Sequence, residues 1–375
     1  MREYLLCLLA AAAVTYLTTP VVEHLARRFG VVAAVRDRDV HAQPTPRLGG
    51  LAMLAGLLAG IMLASQLPRM SELFETARTP LALLSGVLVI VILGIVDDRW
   101  GLDAPVKLAG QVLAAGLMAF QGIAVIWLPT PMGTLVLDPV TSVLFTVLIV
   151  LVSINAINFV DGLDGLAGGI VAIAAGAFFV YSYLLSVTMG IERVTLATLV
   201  SALLVGMCLG FLPHNWYRAR IFMGDTGSMQ LGLLLAASSI TLIGQVDPSA
   251  LSGRTIVPTL LPMLLPVAVM AVPLVDLLLA VIRRTRAGRN PFAPDKLHLH
   301  HRLLEMGHSQ PRAVQLMYAW TGLVAFTAVA VAFIPLGYVI AGFLVGLAAI
   351  VIAVRRPARK PVAAEAPHRT DSLLG

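Results

Sequence analysis

Two adjacent aspartates at the end of an apolar run are the first residues in this chain that could do chemistry. Asp97 and Asp98 directly follow VLVIVILGIV, so they stand where a long apolar helix would leave its apolar surroundings. Neighbouring carboxylates repel, and without a cation one of them is pushed toward protonation. A divalent ion such as Mg²⁺ removes that conflict, because it takes oxygen ligands and keeps waters and substrate phosphates. An aspartate pair that merely closed a helix would oppose its macrodipole, so capping explains the pair poorly.

Three further clusters carry the same kind of residue. In SINAINFVDGLDGLAGG, Asn155, Asn158, Asp161 and Asp164 recur at every third position. On a continuing helix each step turns the side chain by about 60°, so the four would span half the circumference with neighbours close together. In PHNWYRARIFMGDTGS the polar residues are His214, Asn215, Arg218, Arg220 and Asp225, with Phe222 among them. Asp225 reads either as the N-cap of the apolar run that follows or as a metal ligand facing the other carboxylates. Phe222 reads either as an interface aromatic or as a platform for a planar base. In PDKLHLHHRLLEMG, His298 and His301 have the spacing of a zinc pair, but no companion Cys or HExxH helix accompanies them. With Lys296, His300 and Arg302 beside them they suit phosphate oxygens better, a solvated loop being the plainer alternative. Lys107 and Gln111 share one face of a helix, and Lys107 either snorkels or reaches a phosphate. Asp276, inside VPLVDLLLAVIRR, needs no more than a neighbouring Arg. Carboxylates that hold Mg²⁺ beside cations that neutralise growing charge are the equipment of phosphoryl transfer.

The elements that must position these clusters are membrane helices. The 375 residues are 58% hydrophobic and only 12% charged, against roughly 25% charged in soluble domains. A bilayer core asks for roughly 20 mostly apolar residues per crossing. About eleven runs qualify by that length, near 4–24, 48–67, 81–97, 105–121, 139–157, 165–187, 195–212, 227–244, 257–282, 314–334 and 337–354. The fold class is therefore all-α and polytopic, with one catalytic transmembrane domain over 1–354 and a disordered tail over 355–375. An N-terminus outside and a C-terminus in the cytoplasm leave only Arg2, Arg69, Arg78, Arg193 and Arg254 of the 26 Lys and Arg residues outside. That asymmetry obeys the positive-inside rule, and it puts every polar cluster on the cytoplasmic face. The net charge of +6 thus follows topology and does not mark a nucleic-acid binder. Arg27 and Arg28 flank the first run, which suits an uncleaved helix better than a signal peptide. Cys7 and Cys208 fall in apolar runs and read as fillers. Residues 123–138 alternate around Pro-Met-Gly as a small hairpin would.

Five stretches, PTPRLGGLAM, ILGIVDDRWGL with VKLAGQ, INAINFVDGLDGLAGG, RIFMGDTGSMQLG and HLHHRLLEMGHS, cover residue 44 to about 310. Together they resemble the polyprenyl-phosphate N-acetylhexosamine-1-phosphate transferase family. The His-x-His-His-Arg form resembles the UDP-N-acetylglucosamine branch, since the muramoyl-pentapeptide branch shows three consecutive histidines. The resemblance implies transfer of GlcNAc-1-phosphate from UDP-GlcNAc to a polyprenyl phosphate, with release of UMP, as a first lipid-linked step of cell-envelope glycan synthesis at the plasma membrane. It further implies that Asp225 and Asn158 bind Mg²⁺, with Mn²⁺ as an alternative, and that Asp97 and Asp98 are catalytic or orient the acceptor. Lys107, His300, His301 and Arg302 would contact phosphates. Asp164, Asn215 and Phe222 would hold the nucleoside, and Asp161 is a catalytic-site neighbour of unassigned role. A homodimer is the assembly the likeness admits. A phosphate monoester has a second pKa of about 6, so the acceptor is mostly dianionic at neutral pH. One-step attack, with Asp97 positioning the nucleophile, is then favoured over a covalent aspartyl intermediate. The competing readings are a phospho-MurNAc-pentapeptide transferase and, in another class, an ion-coupled transporter. The transporter would place its acids at mid-membrane and not at one boundary.

Overall fold

In the computed structural model the described residues are 1–33, 44–76, 79–130, 133–189, 195–245 and 306–355, with isolated positions 278, 282, 285, 286 and 288. In chain order the helices are α1 (Arg2–Arg28), α2 (Gly49–Ala64), the short α3 (Glu72–Thr76), α4 (Thr79–Trp100), α5 (Ala104–Phe120), α6 (Pro139–Val160), α7 (Leu166–Met189), α8 (Thr195–Asn215), α9 (Gly224–Gln245), α10 (Gln310–Phe333) and α11 (Leu336–Arg355). Among the described residues, eight helices are long and apolar enough to cross a membrane, and α2 and α5 are shorter apolar helices. The chain is a multi-pass membrane protein. The run anticipated over 257–282, with Asp276, lies outside the described residues.

The fold is mainly helical and not wholly so. Two antiparallel ladders interrupt it: β1 (Val32–Ala33) pairs with β2 (Thr45–Pro46), and β3 (Trp127–Thr130) with β4 (Gly133–Val136). The second is the hairpin that the alternation around Pro131-Met132-Gly133 anticipates. The first escapes a pattern search, because two residues per strand show no period.

Local chemistry sets several helix starts. Asp138 Oδ1 accepts from the backbone N–H of Val140 and Thr141, each at 3.1 Å, and Pro139 opens α6. The Thr141 hydroxyl first, and then these backbone bonds, hold the Asp138 carboxyl below the usual carboxylate range. Proline also stands in the first turn of α5 and α10, where the missing N–H costs nothing.

Burial decides which helix is central. In α9, 89% of the most apolar stretch is buried inside the protein, against 22% in α1 and 11% in α11. α9 is the axis, surrounded by α2, α4, α6 and α8, while α1 and α11 turn Leu9, Leu17, Leu344 and Val345 outward. Exposed leucines are no fault against hydrocarbon. Close approach comes from small residues: a Cβ on Gly206 or Gly210 of α8 would press on the α1 backbone at Leu8 and Ala12, the small-xxx-small packing of membrane helices.

Candidate active site

Contacts between helix ends collect the polar clusters at one end of the bundle. The ends of α4, α6 and α8 meet the starts of α2, α5, α7 and α9 there. The segment before α2 is stitched to the segment before α9: Phe222 N–H donates to Pro46 O at 2.9 Å, and Gly49 and Gly50 N–H donate to Phe222 O and Met223 O at 3.0 Å. Leu48 adopts φ 83° to make this turn. A Cβ on Gly50 would lie 2.5 Å from the Thr226 carbonyl carbon, and one on Gly94 of α4 would lie 2.6 Å from Thr226 N. The glycines of PRLGG are therefore a docking face for the start of α9.

Asp98 caps that same start from another helix. Its carboxylate accepts from Asp225 N–H at 2.9 Å, Thr226 N–H at 3.0 Å and the Thr226 hydroxyl at 2.7 Å. An isolated α9 would leave these first-turn donors unpaired, and a carboxylate there also meets the positive end of the helix dipole. The aspartate pair opposes the dipole of α4, where it sits, but Asp98 satisfies the dipole of α9.

Asp97 faces the other way. Its Oδ1 accepts from Leu102 N–H at 2.7 Å and its Oδ2 lies 2.6 Å from Lys107 Nζ. The same ammonium pairs with Asp225 Oδ2, so one cation from α5 joins carboxylates of α4 and α9. Asn158 Nδ2 donates to the other oxygen, Asp225 Oδ1, at 2.7 Å and to Ser228 Oγ at 2.9 Å. One turn back, Asn155 Nδ2 reaches Gln111 Oε1 at 2.8 Å. The anticipated shared faces on α5 and α6 are thus used side by side.

The helix carrying the asparagines stops at Val160, so Asp161 and Asp164 lie in the α6–α7 turn and leave the every-third-residue stripe. Gly165, at φ 73°, gives the turn a left-handed backbone just before α7 begins. Asp164 is buried and accepts from Ala219 N–H at 3.1 Å. Asn215, also buried, accepts from Gly165 N–H at 3.0 Å and donates to Ile221 O at 2.9 Å. Both side chains fasten residues 216–223 to the turn. Phe222 is partly exposed beside them. His300, His301 and Arg302, with Lys296 and His298, lie outside the described residues.

Negative charge concentrates around Asp161. Asp161 is pushed up to about 7, first by burial and then by the negative charges of Asp225 and Asp98, with Asp164 adding to them and Arg47 acting in the opposite sense. Among the described residues no three His, Cys, Asp or Glu side chains close on a single point. The donor set of Asp97, Asp225 and Asn158 is hard oxygen chemistry with an incomplete shell. That fits Mg²⁺, which commonly takes one or two carboxylates and completes its octahedron with water and substrate phosphates.

Sequence reasoning missed Thr226, Ser228, Arg47 and Tyr318. Thr226 was legible in principle, as a hydroxyl at a helix start. Tyr318 stands in an apolar stretch with no local signal, and only the fold brings its hydroxyl to Gly165 O.

Comparison with known proteins gives the family. Residues 80–243 match the family described as glycosyl transferase family 4. The chain is 48% identical to a decaprenyl-phosphate N-acetylglucosaminephosphotransferase of Mycolicibacterium smegmatis, over 98% of this chain and 92% of the relative. It is 48% identical to the protein of the same name from Mycobacterium leprae, over 95% of this chain and 92% of the relative. A phospho-N-acetylmuramoyl-pentapeptide-transferase of Desulforudis audaxviator is 31% identical, over 84% of this chain and 95% of the relative. Similarity along nearly the whole length, with the polar blocks gathered at one end of the bundle, shows that the chain belongs to the polyprenyl-phosphate N-acetylglucosamine-1-phosphate transferases of glycosyl transferase family 4.

Proposed function

We propose that the chain transfers GlcNAc-1-phosphate from UDP-GlcNAc to a polyprenyl phosphate, giving polyprenyl-diphospho-GlcNAc and UMP. The carrying observation is the ammonium of Lys107 held between Asp97 and Asp225, an acid–base cluster at the end of apolar helices. An acceptor oxygen attacks the β-phosphorus of the nucleotide sugar, and the bond from that phosphorus to the bridging oxygen breaks. UMP leaves with the bonding electrons. A decaprenyl chain, present in the names of the two mycobacterial relatives, is the acceptor length to try first.

Within this reading Asp225 and Asn158, with Asp97 beside them, would hold Mg²⁺. The bound ion would neutralise the diphosphate and polarise its phosphoryl oxygens. Asp97, fixed by Leu102 N–H and Lys107, orients the acceptor phosphate. Lys107 offsets charge that grows on the transferring group, and Asp98 keeps Asp225 in place through the start of α9. Asp164 and Asn215 shape the nucleoside pocket by fastening its loop, with the Phe222 ring as the stacking face. His300, His301 and Arg302 supply further phosphate contacts.

We place the site on the cytoplasmic face of the plasma membrane. Arg27, Arg28, Arg47, Arg99, Arg218 and Arg220 belong to the helix ends and loops of the site end, which supports that side. Eleven crossings fit the termini: α1 ends at the site end, and α11 does too, since His308 and Arg312 contact Val354 O and Ala353 O at 3.0 Å. Termini at opposite ends require an odd number of crossings. The test is UMP release by purified protein from UDP-GlcNAc, with and without polyprenyl phosphate and Mg²⁺. UDP-MurNAc-pentapeptide serves as the competing donor. Preference for that donor, or turnover independent of the lipid, would overturn the reading.

A further inference from the structure

Gly165, at the start of the α7 side of the turn, is gripped through both of its backbone groups. Its N–H donates to Asn215 Oδ1 at 3.0 Å, and its carbonyl accepts from the Tyr318 hydroxyl of α10. The residue has φ 73°, a left-handed conformation natural to glycine. Four residues on, Gly169 leaves the space that the Tyr318 ring fills; a Cβ there would collide with the ring. The ring centroid of Tyr318 lies 6.3 Å from that of Trp216, the first residue of the loop that Asp164 and Asn215 fasten. Tyr318 thus touches both sides of the seam between the α6–α7 turn and residues 216–223. It is far in sequence from both, and among the described residues it makes no hydrogen bond with Asp97, Asp98, Lys107 or Asp225.

We propose that Tyr318 is a positioning residue for the nucleotide half of the site, setting the turn against the aromatic-rimmed loop through the Gly165 carbonyl. The proposal rests on the functional reading above and deepens it. The loop displays Trp216 and Phe222, and aromatic faces are what a planar base stacks on. The acceptor half is fastened by other bonds, those of Asp97, Asp98 and Lys107. Loss of the hydroxyl therefore acts on one substrate and spares the other. The Gly165 carbonyl keeps the Gly169 N–H as its helix donor at 3.0 Å, so what the hydroxyl alone supplies is the tie from α10 to the turn, and its loss falls where the loop must be held in shape to receive the base.

The experiment uses full-length protein in detergent and steady-state UMP release. Each substrate is varied at saturation of the other, for wild type, Tyr318→Phe and Gly169→Ala. Tyr318→Phe keeps the ring that fills the Gly169 space and removes only the hydroxyl. The expected result is a KM for UDP-GlcNAc raised about tenfold, with the acceptor KM and kcat within about twofold. Gly169→Ala, which displaces the ring, should show the same split. An unchanged donor KM in folded Tyr318→Phe would overturn the proposal, as would a parallel loss for both substrates or failure of the variant to fold, each of which marks a purely structural role. A wild type that releases no UMP overturns the functional reading and this proposal with it. A wild type that turns over beside an unaltered variant overturns the proposal alone.

Discussion

The carboxylate of Asp98 holds Thr226 by two bonds, one from its backbone N–H at 3.0 Å and one from its hydroxyl at 2.7 Å. This contact joins the end of α4 to the start of α9, and with it the two carboxylates that share Lys107. Asp98 therefore acts on Asp225 through the backbone between them. Thr226→Val removes one bond and keeps the two N–H donors. It should cost about 1 kcal/mol of stability and reduce turnover several-fold. Asp98→Asn turns one acceptor oxygen into a donor facing N–H groups, and turnover should fall by roughly a hundredfold or more. Thermal unfolding and UMP release on the purified variants check both. Equal, wild-type activities would contradict the capping account.

Lys107 neutralises two carboxylates, so its removal leaves them facing each other. Lys107→Met should lower turnover strongly. It should also destabilise the protein in EDTA by a few kcal/mol, since uncompensated buried charge costs roughly 3–5 kcal/mol. Added Mg²⁺ should restore a larger share of Tm in the variant than in wild type, because the ion takes over part of the ammonium's role. A variant whose Tm responds to Mg²⁺ no more than wild type would place the metal elsewhere.

Asp161 gives a dependence on pH with a definite sign. Its folded value is about 7, above the roughly 3.9 of an unfolded aspartate. The folded state therefore carries a penalty that is absent below pH 4, grows as pH rises toward 7, and is constant beyond. Asp161→Asn should raise Tm in EDTA at pH 8, and the gain should shrink steadily as pH falls from 7 toward 4. Mg²⁺ should reduce the gain at pH 8. A gain that is flat across this range would remove Asp161 from the negative field around Asp225.

Gly50 and Gly94 test the docking of α9. Alanine at either position would drive a methyl group into the Thr226 backbone, at 2.5 Å and 2.6 Å respectively, and backbone cannot yield as a flexible side chain does. Each should lower Tm and reduce turnover more than tenfold. Gly116→Ala, where the added carbon meets open space, should leave both unchanged.

Much of this was legible in the residues. Apolar runs mark the helices because hydrocarbon tolerates little else, and Asp97, Lys107, Asn158 and Asp225 announce themselves as polar groups where polar groups are expensive. What the chain hides is direction. Asp98 follows Asp97 by one residue, yet on a helix that step turns the side chain by about 100°, from Lys107 to the start of α9. Asp164 and Asn215 have the types expected of a ligand pocket, yet their atoms bond backbone, tying residues 216–223 to the α6–α7 turn. Tyr318 has no partner in sequence at all. Such assignments depend on which distant backbone comes near, and no periodicity records that.

Asp225 is the centre of the cluster, its two oxygens receiving Lys107 and Asn158. The decisive measurement is UMP release from UDP-GlcNAc and polyprenyl phosphate by purified Asp225→Asn, compared with wild type at saturating Mg²⁺ and at matched thermal stability. We predict a loss of about a thousandfold or more in a protein that remains folded. Activity within a few-fold of wild type would contradict the assignment of this cluster as the catalytic centre.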